Sequence, residues 1–118
     1  MKVYNRKSGA WGEEEAKKYL KAKGYQILRQ NYSNKLGEID LICLKDGYLI
    51  FVEVKTRLTN AFGSPAQSVN FVKQQKIRKT ALAFLSFYGD VDKDCRFDVI
   101  EILGDQESFQ LNHIENAF

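Results

Sequence analysis

Two carboxylates, Asp40 and Glu53, and one ammonium, Lys55, fall within a single stretch, GEIDLICLKDGYLIFVEVK, running from Gly37 to Lys55. The stretch reads as two strands joined by Asp46-Gly47, a pair that suits a type I′ turn because positive φ is needed at both central positions. A two-residue turn sets the register. Lys45 then faces Tyr48, Leu44 faces Leu49, Ile42 faces Phe51, Asp40 faces Glu53 and Glu38 faces Lys55, all on one side of the sheet. Directly opposed residues have Cβ atoms about 4.5–5.5 Å apart, and like charges at that range repel. A bound cation resolves the conflict between Asp40 and Glu53. Hard divalent ions such as Mg²⁺ take carboxylate oxygens, often only one or two from protein, and leave other positions to water and phosphate. A solvated salt-bridge cluster of Glu38, Asp40, Glu53 and Lys55 accounts for the same spacing without a ligand. A turn of different length would also shift the register and part the two acids.

The chain that must position these groups has 118 residues, enough for one domain with a real core. Its 44% hydrophobic and 28% charged content is that of an ordinary globular protein, and its net charge of +3 permits an anionic partner without demanding one. Cys43 and Cys95 both lie in apolar strand-like runs and are expected to be buried free thiols in a reducing cytosol. One histidine, His113, and no clustered thiols leave too few ligands for zinc. Met1 to Lys7 is polar and basic with no apolar segment behind it, so no secretory leader is expected and the setting is cytoplasmic. No apolar run approaches the length of a membrane span.

Residues 1–9 read as a loose basic arm. Ser8 is positioned to cap a helix from about Ala10 to Lys23 that Gly24 stops. Gly12, Ala16, Tyr19 and Leu20 gather on one face, and the two small residues let that face approach a sheet closely. Glu13 and Glu15 lie at opposite margins of the face, and the helical wheel does not choose between them. Acidic residues in a first turn also serve simply to complement the helix dipole. A strand over Tyr25–Tyr32 and a turn at Ser33-Asn34-Lys35 lead into the central hairpin. Thr56 to Pro65 is a polar loop expected to overhang the carboxylates. A second amphipathic helix is predicted from Ala66 to about Phe87, and strands follow at Cys95–Leu103 and Ser108–Ile114. The basic middle of that helix, including Lys73 and Lys76, is either a solvated face or a phosphate-facing one. Arg57, next to the hairpin's end, is a further basic candidate for nucleic-acid contact.

The two hairpin strands carry apolar residues on both faces: Ile42, Leu44, Leu49 and Phe51 on one, Ile39, Leu41, Ile50, Val52 and Val54 on the other. A sheet buried on both sides needs a helix layer on each. The link through the second helix is a right-handed crossover between parallel strands. The predicted fold is α/β, a three-layer α/β/α sandwich on a mixed sheet in the order αβββαββ, forming a single domain over residues 1–118.

Asp40 and the Glu53-Val54-Lys55 triplet, with twelve residues between Asp40 and Glu53, resemble the Asp-(spacer)-Glu-x-Lys signature of restriction-endonuclease-like nucleases. More closely, the chain resembles the YraN family, small bacterial proteins described as predicted endonucleases related to Holliday junction resolvases. The resemblance rests on Gly12-Glu13 with Ala16, Gly24-Tyr25, Asn31-Tyr32, GEIDLI from Gly37, FVEVKTR from Phe51, Phe62-Gly63, Arg96-Phe97-Asp98-Val99 and Asn116-Ala117-Phe118, in that order and spacing. It implies a Mg²⁺- or Mn²⁺-dependent endonuclease acting on DNA, including branched DNA. Asp40 and Glu53 would bind the metal, with Glu13 completing the acidic site. Lys55 would orient the attacking water, and Gln67 would support the site. A nucleic-acid-binding protein of the same fold with little activity of its own is the alternative. Resolvase-like relatives act as symmetric pairs, which makes a homodimer an expectation, although no self-complementary patch is legible here. Asp40 is preceded by Ile39 rather than by the proline of the wider signature, as in resolvase-like members.

Overall fold

The computed structural model describes residues 6–58, 69–89 and 93–118, with side chains from Ala10 onward. Among these described residues two helices, α1 (Arg6–Ala22) and α2 (Phe71–Tyr88), flank five strands, β1 (Gln26–Asn34), β2 (Gly37–Lys45), β3 (Tyr48–Arg57), β4 (Asp94–Gly104) and β5 (Phe109–Ile114). The strands form one open sheet in chain order. All neighbours are antiparallel except β3 and β4, which run parallel across the α2 crossover. This is an α/β fold of the restriction-endonuclease-like type.

The β2–β3 hairpin forms as its turn residues dictate, with φ of 52° at Asp46 and 82° at Gly47. Every predicted pair from Lys45↔Tyr48 to Leu41↔Val52 is present. The ladder then stops one pair short of Asp40 and Glu53. In its place the Val54 N–H donates to Asp40 Oδ2 at 2.8 Å. Side-chain alternation on β2 is broken at the same point. Ile39, expected beside Leu41 and Val52, packs instead with Ile42, Leu49, Phe51 and the α2 residues Ile77, Ala81 and Phe84.

The core has two layers, one on each side of the sheet. Ala16 and Leu20 of α1 pack on Leu41, Cys43, Ile50, Val52, Val54, Ile100 and Ile102. The other side is the α2 layer that includes Ile39. Glycine allows both helices to come close. A Cβ on Gly12 would lie 2.1 Å from Thr56 Oγ1, and one on Gly37 would lie 2.9 Å from Thr80 Oγ1 on α2. Asn70 caps α2, its Oδ1 accepting from the Lys73 N–H at 2.9 Å, and Gly89 closes the helix in the left-handed region.

Several boundaries differ from expectation. Helix α1 begins at Arg6, so Ser8 lies inside it and residues 6–9 are not a loose arm. The second helix begins at Phe71 because Asn70 supplies the capping oxygen. Gln67, Phe62-Gly63 and most of the expected loop after Thr56 lie outside the described residues, whereas Thr56 and Arg57 themselves belong to β3. Cys43 is buried but Cys95 is exposed, because it sits at the outer end of β4.

Beneath α1 a polar network ties the C-terminal region to the sheet. The fully buried Asp98 takes two hydrogen bonds from Arg96 at 2.8 Å, one from the Asn116 N–H at 3.0 Å, and pairs with His113 Nε2 at 2.7 Å. Burial opposes the Asp98 charge, but these partners outweigh it and hold the carboxyl below its usual range. The tail packs back on the sheet. The Ala117 N–H donates to the Phe97 carbonyl at 2.7 Å, and Phe118 stacks on Phe97.

Gly12→Ala is expected to destabilise the protein by about 1–2 kcal/mol, because the new methyl meets a β-branched side chain with little rotamer freedom. In a Thr56→Ala background the same change should turn neutral or stabilising, since alanine outranks glycine in a helix by about 1 kcal/mol. Urea unfolding of the four proteins checks the reversal.

Candidate metal centre

The break in the β2–β3 ladder is where the acidic residues meet. Asp40 forms a wall common to two clefts. One, of about 330 Å³, opens toward α1 and includes Glu13, Asn31, Ser33 and Glu38. The other, of about 190 Å³, opens toward α2 and includes Gly37, Glu53, Lys73, Lys76 and Ile77. Asp40 and Glu53 therefore share the α2-side cleft rather than facing opposite sheet surfaces. Glu53 is only 6% exposed.

Burial sets the electrostatics. It pushes Glu53 up to about 7, with the neighbouring Asp40 charge as the next cause. Asp40 is also raised by burial, against the pull of the Val54 N–H and the ammonium groups of Lys73 and Lys55. Burial pushes Lys55 down to about 8, helped by the Lys73 ammonium. On Lys73 burial works in the same direction, but contacts with Lys55, Glu53 and Asp40 outweigh it and raise the pKa. Lys73 Nζ lies 3.7 Å from Glu53 Oε2.

Of the two glutamates at the margins of α1, the structure turns Glu13 toward Asp40. Burial and the Asp40 charge raise its pKa, while the Asn31 side chain hydrogen-bonds to it. Glu14 and Glu15 pair instead with Lys17 and Lys18 on the outer helix surface, at 3.0 and 3.5 Å. Asn31 itself adopts φ of 54° within β1, a conformation that asparagine tolerates better than most residues. In the sequence Asn31 belongs to the Asn31-Tyr32 pair of the family resemblance, which assigns it no role. The signal, an asparagine interrupting a strand, was present.

Not every expected site residue converges. Among the described residues, no group of three or more His, Cys, Asp or Glu side chains gathers closely enough to cage an ion. Glu13 thus borders the site from the α1 side without joining a three-carboxylate cage. Arg57 is engaged with the buried Glu101, its Nε donating at 2.9 Å. Lys76 is exposed and lines the α2-side cleft. Lys73, expected as a general phosphate contact, is drawn into the carboxylate cluster.

The donor set suits a hard divalent cation. Both carboxylates offer oxygen only, the two are not paired with each other across β2 and β3, and the open cleft leaves space for water and phosphate. Asp40 and Glu53 would hold such an ion, and Lys55 projects from the strand two residues beyond Glu53.

Fold and site together define a restriction-endonuclease-like α/β domain with a partly neutralised acidic cleft. Residues 12–102 match the model of Uncharacterised protein family UPF0102. A UPF0102 protein of Alkaliphilus oremlandii is 47% identical over 116 residues, covering 97% of this chain and 99% of its own length. Another, from Clostridium beijerinckii, is 47% identical over 120 residues, covering 100% of this chain and 98% of its own. A third, from Syntrophomonas wolfei, is 44% identical over 114 residues, with 97% and 99% covered. The chain belongs to the UPF0102 family, the group to which the YraN resemblance points.

The raised pKa of Glu53 has a definite sign for stability. The folded state holds a proton that the unfolded chain, with an ordinary glutamate, has released, so ion-free stability falls as pH rises from about 4.3 to about 7. Glu53→Gln should therefore raise the metal-free thermal midpoint at pH 8, by on the order of 2 kcal/mol of stability. The difference should vanish near pH 4. Added Mn²⁺ should raise the midpoint of the wild type but not of the variant, which differential scanning calorimetry will register.

Proposed function

We propose that the protein is a Mg²⁺- or Mn²⁺-dependent phosphodiesterase that cleaves DNA. The observation that carries this reading is the meeting of half-buried Asp40 and buried Glu53 where a strand pair ends, in one cleft that also holds Lys73. Two like charges in a desolvated position weaken a fold unless something positive is held between them. A bound divalent ion supplies Lewis acidity toward a phosphate oxygen and lowers the pKa of water.

The protein's own groups divide the remaining work. Asp40 is fixed by the Val54 N–H, so its free oxygen keeps one direction. Glu53, nearly fully buried, lines the same cleft. Lys55, its pKa lowered to about 8, can take a proton from water in the fraction of molecules where it is neutral, a fraction that grows as pH rises toward 8, and return it. In the reaction a water oxygen bonds to phosphorus, one ester P–O bond breaks, and the departing oxygen takes a proton. Exposed Lys76 offers charge to the backbone phosphates, and each such contact makes affinity fall as salt rises. The family resemblance extends the substrate to branched DNA. It also makes a homodimer the working expectation, since a symmetric pair would present two such clefts to one junction.

A second reading is a nucleic-acid-binding protein of the same fold with little activity. It is favoured by the Lys73 ammonium beside Glu53, which offsets part of the cluster's charge without any ion. Assays on junction, flap and plasmid DNA with Mg²⁺ or Mn²⁺ separate the readings. Asp40→Asn and Glu53→Gln are each expected to slow cleavage about 100-fold or more while DNA affinity persists. A wild type that binds DNA but cuts none of these substrates favours the second reading. A wild type without salt-sensitive DNA affinity excludes both.

A further inference from the structure

The α2-side cleft contains a cation that the nuclease signature does not use. Lys73 lies in the first turn of α2, and its backbone is fixed by the Asn70 cap. Gln74 anchors the same turn, its Nε2 donating to the Val69 carbonyl at 2.8 Å, and Val69 is buried. The helix is held over the hairpin by the close approach of Thr80 to Gly37, a residue with no side chain to block it. Lys73 Nζ reaches to 3.7 Å from Glu53 Oε2, at the outer limit of an ion pair, and its side chain remains 40% exposed. The ammonium is thus held against the acidic cluster while the cleft stays open beside it.

A second divalent ion on this side would need carboxylates of its own. Glu38 also lines this cleft, but among the described residues no three acids gather closely enough to share an ion. What faces Glu53 from α2 is Lys73, with Lys76 on the same cleft wall. The spacing suits a phosphate: an ammonium is a compact point charge with three rotatable donors, and one can face a carboxylate while another faces a phosphate oxygen.

We propose that Lys73 is a catalytic residue, gripping the scissile phosphate from the α2 side and supplying the positive charge that a second metal ion would otherwise bring, so that the site works with a single divalent ion per chain. This rests on the phosphodiesterase reading above, and it assigns Lys73 a role at the reacting phosphate rather than along the DNA backbone.

The test combines calorimetric titration of Mn²⁺ into the full-length protein without nucleic acid and single-turnover cleavage of a junction substrate. Wild type should bind one Mn²⁺ per chain. Lys73→Ala should bind one with equal or tighter affinity, because a competing cation has left Glu53, yet cleave about 100-fold more slowly. Lys73→Arg should recover part of the rate, which loss of a merely structural contact would not predict. Two Asp40-dependent Mn²⁺ ions in the wild type would overturn the proposal. So would weakened Mn²⁺ binding by Lys73→Ala, or cleavage by that variant at the wild-type rate, while either result leaves the phosphodiesterase reading standing. A wild type that neither binds Mn²⁺ nor cuts removes that reading, and the proposal with it.

Discussion

Everything at the centre of this molecule depends on how one carboxylate replaces a rung of the sheet. Asp40 takes the Val54 N–H with its side chain, at the point where β2 and β3 stop pairing. That substitution satisfies a backbone donor, turns Ile39 to the α2 layer, and leaves the Asp40 carboxylate sharing a cleft with Glu53. A regular ladder continued through Glu53 would set the two acids directly opposite one another with no donor for either. The break therefore makes the cluster tolerable to the fold while keeping it electrostatically unfinished.

The surrounding structure is stiff where the cluster needs support. Helix α1 comes close enough to β3 for Gly12 to meet Thr56, bringing Glu13 to the α1-side cleft. Helix α2 meets β2 at Gly37 and brings Lys73 over Glu53. The two helices thus deliver opposite charges to opposite sides of Asp40. The separate network around Asp98 pins β4, β5 and the C-terminal residues together, and its charges are internally matched. The contrast is informative: Asp98 is buried, fully partnered and has a lowered pKa, whereas Glu53 is buried, weakly partnered and has a raised one. Only the second pattern leaves a role for an added cation.

Much of this was legible in the chain. Asp46-Gly47 determined the hairpin and its register, because few residue pairs accept positive φ twice in succession. Apolar residues on both faces of β2 and β3 required a helix layer on each side, and both layers are present. The residues that differed did so for local reasons. Ile39 followed the period of two on paper, but the Asp40 side-chain bond broke that period. Cys95 looked like part of a buried run, yet the end of β4 is open there. The helical wheel leaves Glu13 and Glu15 open and the family resemblance favours Glu13; the rotation of α1 about its axis, set by the Gly12 contact, turns Glu13 toward Asp40. Lys73 belonged to a basic helix face in one dimension, and only the docking of α2 on Gly37 made it part of the acidic cleft.

The central claim is that Glu53 is held in a desolvated site meant for a divalent ion. Its carboxyl carbon can be followed directly by ¹³C NMR as pH is varied, with and without saturating Mg²⁺. The account predicts a midpoint near 7 in the ion-free protein, moving to or below the ordinary value of about 4.3 when Mg²⁺ is bound. An ordinary midpoint without the ion, or one that stays near 7 in its presence, would contradict it.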